Sequence, residues 1–84
     1  MTKPLFTTSL VLPQGNVCQF KVYSNGKNLW EFINENLGLT IVLSQVQKRD
    51  YQGCLMPSLG NKVQAENLIC QAIFVLEEFY RQRG

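Results

Sequence analysis

Histidine is absent from the 84 residues. With it go Ser-His-Asp and Cys-His catalysis, imidazole proton shuttles and most zinc sites. Charge is scarce: 17% of the residues are Asp, Glu, Lys or Arg, where globular domains usually carry about 25%. A charge-poor surface is often one that a partner covers. The plainer explanation is that Gln and Asn, both plentiful here, supply polarity without charge. The net charge of +2 is too small to imply nucleic acid by itself.

Long apolar runs are also missing. No segment reaches the ~18 residues of a membrane span, and "PLFTTSLVLP" is too polar and too short for a signal-peptide core. The expected location is cytoplasmic. The cysteines are three, Cys18, Cys54 and Cys70. Their odd number and wide spacing, each within an apolar pattern, predict buried free thiols rather than disulfides. Phosphate-binding glycine loops are lacking too. "SNGKN" and "SLGNK" have neither the Walker A nor the dinucleotide spacing; the second offers only a helix start beside Lys62, a weak anion site. The carboxylate pairs Glu31/Glu35 and Glu77/Glu78 lack the apolar neighbours that would raise a pKa for acid–base work. No metal, no cofactor and no catalytic centre is expected.

What remains is one small domain, residues 1–84. A chain of this size buries only about 60–65% of its unfolded surface, so association would help it. Leu5 to Leu12 alternates, with Phe6, Leu10 and Leu12 on one face and Thr7 and Ser9 on the other. "PQGN" turns the chain, with Gly15 suited to a left-handed position. Val17 to Tyr23 then sends Cys18, Phe20 and Val22 one way and Gln19, Lys21 and Tyr23 the other, which predicts an antiparallel hairpin with one wet face. Asn28 with Glu31 reads as a capping box, and Leu29, Phe32, Ile33 and Leu37 recur at helical spacing. That predicts a short first helix ended by Gly38. Leu39 to Val46 reads as a central strand, and Gly53 to Met56 as a short strand stopped by Pro57. Asn61 and Gln64 open the longest helical pattern, which runs to about Arg81. The expected class is α+β: an antiparallel sheet of three or four strands, in ββαββα order, with a long C-terminal helix packed on one face.

Three groups of residues are candidate contacts. In "QKRDYQGCLMPSLGNK" a basic pair, Lys48 and Arg49, stands near Tyr51. Basic residues interleaved with an aromatic can hold phosphate and stack a base, and Lys21 and Tyr23 on the wet strand face would extend such a surface. Asp50 interrupts the cluster, however, and turns favour polar residues anyway. Trp30 lies at the margin of the first helix's apolar stripe, where it either shields the core edge or forms a binding hot spot. Val63, Cys70 and Phe74 fall outside the main stripe of the long helix and line up as a second apolar strip. One sheet covers one side of a helix, so a second strip asks for a second surface, in another copy or in a partner protein. The composite expectation is a non-enzymatic protein–protein interaction module (an adaptor, inhibitor or assembly factor) acting as a homodimer or docked on a partner. Its alternative is a small nucleic-acid-binding domain using Lys21, Tyr23, Lys48, Arg49 and Tyr51.

Overall fold

The alternation of the N-terminal segments becomes a hairpin. In the computed structural model, which describes residues 3–12, 14–47, 50–56 and 62–83, β1 (Phe6–Val11) pairs antiparallel with β2 (Val17–Ser24). Leu10, Phe20 and Val22 are buried on one face, whereas Thr7, Ser9, Gln19 and Lys21 are exposed on the other. The Leu12 N–H donates to Asn16 at 2.7 Å and the Gly15 N–H to Leu12 at 2.8 Å. Gly15 sits at φ 93, a conformation that costs glycine nothing for want of a Cβ.

The expected first helix is a strand. β3 (Leu29–Asn34) pairs with β2 on one side and with β4 (Leu39–Gln47) on the other. Six residues are too few to separate the two periods. Leu29, Phe32 and Ile33 fit a helix, but Trp30, Phe32 and Asn34 fit alternation equally well, and those three are the ones buried. An isolated ten-residue helix is marginal in water, whereas a strand here gains two hydrogen-bonded neighbours. Gly38 does adopt the left-handed conformation, φ 66, but it closes the β3–β4 turn rather than capping a helix. Asn34 secures that turn. Its amide donates to the Gln19 carbonyl at 3.0 Å, and its Oδ1 accepts the Leu37 N–H at 2.9 Å. Leu37, expected on a core-facing helix surface, is exposed.

The last strand is longer than the sequence suggested: β5 covers Asp50–Met56 and pairs with β4, with a bulge at Gln45/Gln47 beside the turn. The sheet therefore has five antiparallel strands in the order β1-β2-β3-β4-β5, and the element order is βββββα rather than ββαββα. The class remains α+β. The long helix α1 spans Lys62–Arg83; its proposed cap, Asn61, lies outside the described residues.

Leu68, Ala72 and Leu76 are fully buried against the sheet, with Ala65, Ile69 and Ile73 partly buried beside them. The helix packs on β4 and on both edge strands, β1 and β5. The sheet must therefore curl around it, with Phe20, Val22 and Phe32 of the two intervening strands, all at 0% exposure, filling the trough below. At the β5 edge the approach is tight. A Cβ on Gly53 would run into Ile69 and lie 2.8 Å from Leu43 Cδ2, so only glycine lets helix and strand meet there.

A chain of aromatic contacts ties the C-terminal end of α1 across the sheet. Phe6 meets Phe32 edge-on at 6.4 Å and stacks on Phe79 at 4.3 Å. Phe79 meets Tyr80 at 5.2 Å, Tyr80 meets Trp30 at 6.2 Å, and Trp30 meets Tyr51 at 5.9 Å. Such pairs contribute about 0.5–1.5 kcal/mol each beyond their buried area. Arg83 caps the series, its guanidinium 4.6 Å from the Phe79 ring.

Candidate functional site

The back of α1 carries the surface that the fold leaves over. Val63 and Cys70 are seven residues apart, and Phe74 follows four later; at about 100° per residue all three fall within ~40° of one line, opposite Leu68, Ala72 and Leu76. Val63 is 71% exposed and Phe74 65%, and Cys70 is exposed between them. The sheet reaches the other side of the helix only. Exposing such side chains forgoes about 1.5–3 kcal/mol each for the larger ones. Beside the start of the strip a groove of about 400 Å³ opens between the β1–β2 turn and α1, floored by Leu12 and Leu68 and walled by Val11, Val63 and Gln64.

Trp30 does not join this strip. It stands on the helix-facing side of β3, 6% exposed, and its indole N–H donates to the Tyr80 hydroxyl at 3.1 Å. The shielding role describes its surroundings better than a protruding anchor does. Tyr51 lies beside it, half-buried. Burial, and then the charge of Glu77 and the neighbouring Tyr80, hold the Tyr51 hydroxyl above the usual tyrosine range. Tyr51, Glu77, Tyr80 and Arg81 line an open groove of about 400 Å³.

Of the residues considered for nucleic acid, the three described ones do not share a face. Lys21 and Tyr23 point from β2 to the uncovered, convex face of the sheet, whereas Tyr51 points to the helix side. Lys48 and Arg49 lie outside the described residues. Across from Tyr23 stands Glu31, anchored by the Asn25 amide at 2.8 Å, so the charge of Lys21 is balanced on its own face.

The thiols are free, but two of them are not buried. Cys54 and Cys70 are exposed, and Cys18 is half-buried. For Cys54 the reason is parity: Leu55 turns inward to 5% exposure, which sends its neighbours Cys54 and Met56 outward. Among the described residues no group of three Cys, Asp or Glu side chains could hold a metal ion, and no helix is long and apolar enough to cross a membrane.

Sequence reasoning missed the treatment of the two sheet edges. Gln71, on the flank of α1, closes the edge of β1 at Val11. Its Oε1 accepts the Val11 N–H and its Nε2 donates to the Val11 carbonyl, both at 2.8 Å. Asn67 Oδ1 accepts from the same Nε2 at 3.0 Å. The carboxamide thus pairs with β1 as a peptide group of a sixth strand would. Partners sixty residues apart leave no local signal. The chain matches no family model, no curated protein and no solved structure.

Proposed function

We propose that the chain is a non-enzymatic protein-interaction module, an adaptor or assembly factor that recognises a partner protein through the back of α1. The observation that carries this reading is the exposure of Phe74, Cys70 and Val63 on the one helix face that the sheet cannot reach. The apolar strip ends beside the Glu78–Arg81 ion pair, a polar rim around an apolar centre of the kind that suits a protein partner. Phe74 is the central anchor, with Cys70 and Val63 extending the contact along the helix. Balanced charge on the open sheet face counts against a nucleic-acid partner, whose phosphates would need unopposed Lys and Arg.

The test compares tagged parent protein with Phe74→Glu in affinity purifications from the native host, quantified by mass spectrometry. Losing a buried phenylalanine contact weakens binding by roughly tenfold to a hundredfold. At least one protein recovered with the parent should therefore fall away with the variant, while circular dichroism shows both chains folded alike. Identical recoveries with parent and variant would remove Phe74 from the binding surface and the reading with it.

A further inference from the structure

The two edges of the sheet are treated differently, and the difference specifies an assembly. A sheet edge presents unpaired N–H and C=O groups to any other strand, and proteins protect edges with Pro, Lys, bulges or covering side chains. At β1 the Gln71 carboxamide occupies both edge-facing groups of Val11. At β5, the other edge, no side chain among the described residues hydrogen-bonds to the backbone. The strand is seven residues long, DYQGCLM, with no Pro, no Lys and a single charge, Asp50, at its start. The bulge lies at Gln45/Gln47, beside the turn, and the register from Gln52 to Met56 is regular. Gln52, Gly53, Cys54 and Met56 are exposed, and Tyr51 and Ile69 on the helix side are only partly covered.

We infer that β5 pairs antiparallel with β5 of a second copy, forming a two-fold dimer whose ten strands, five from each copy, make one continuous sheet. The strand is suited to itself. Antiparallel pairing about its centre places the two Asp50 side chains at opposite ends, so no like charges meet. Gly53 at the midpoint brings no side chain to the axis on the helix side. The two-fold operation uses both open edges at once, and the edges that remain are the two β1 strands, where the Gln71 carboxamide covers the end of the strand at Val11. Growth beyond the dimer along the full length of β1 would have to displace that carboxamide. The inference uses a different surface from the proposed partner site. It leaves Val63, Cys70 and Phe74 exposed on both copies, which makes the dimer bivalent.

The experiment is sedimentation velocity on the purified full chain over a concentration series, with circular dichroism as the folding control. One variant carries Gln52→Lys with Cys54→Lys, the other Gln52→Glu with Cys54→Glu; both positions are exposed and outside the core. Like charges facing each other across the new strand pair should weaken association roughly a hundredfold or more. The parent should sediment as a dimer, each variant alone as a monomer, and their equimolar mixture again as a dimer. A parent that stays monomeric overturns the inference and leaves the Phe74 surface untouched, since that surface is tested on partner proteins. A dimer that survives in both charged variants overturns it too, and its dissociation by Phe74→Glu would place the contact on the helix instead.

Discussion

At the scale of single residues, the constraints that matter most are the ones that neighbouring sequence does not announce. Gly53 stands in "YQGCLM" with nothing to mark it, yet it admits Ile69 of the helix to within contact of β5 and Leu43. Gly53→Ala should destabilise the fold by about 1–3 kcal/mol through overpacking, lowering the midpoint of urea unfolding; an unchanged or raised midpoint would show that the strand and helix separate freely there. Trp30 was legible as an aromatic at a core margin, and its burial of all but 6% of its surface follows from alternation in β3 rather than from a helix. Cys54 was misread because its apolar neighbours were counted without asking which of them share its face.

At the scale of elements, the strands with clean alternation were readable and the ambiguous one was not. β1 and β2 alternate apolar and polar residues and were readable as a hairpin, and β4 was readable as a central strand from apolar residues on both of its faces. β3 has six residues that are half-buried or buried throughout, so its apolar positions satisfy both periods, and the sheet decides between them by supplying partners on both sides. The 22 residues of α1 were legible because a stripe sustained over six turns has no strand counterpart. Gln71 on its flank has a structural function that helical spacing does not announce. Gln71→Ala keeps a helix-favouring residue but removes both bonds to Val11, and should lower stability by about 1 kcal/mol. It should also open the β1 edge at Val11, so that light scattering detects species larger than those of the parent at high concentration. A variant with parental stability and parental size would show that the carboxamide neither braces nor blocks that edge.

At the scale of the whole molecule, one curled sheet wraps one helix, and everything else follows from what this leaves uncovered. The sheet commits its concave face and both edge strands to α1, and among the described residues Cys70 and Phe74 on the back of the helix stay exposed. That strip was legible in the sequence because Val63, Cys70 and Phe74 fall on one line at helical spacing; the open β5 edge was not, because edges are a property of strand order. The proposed function requires the helix back to be covered by another protein where the chain works. Cys70 lies in the middle of the strip and reports on it directly. The measurement is the rate of Cys70 alkylation, read by mass spectrometry, in fresh native-host extract and in the purified chain, with half-buried Cys18 as the internal reference. Cys70 should react markedly more slowly in the extract while Cys18 keeps its rate. Equal Cys70 rates in the two samples would contradict it.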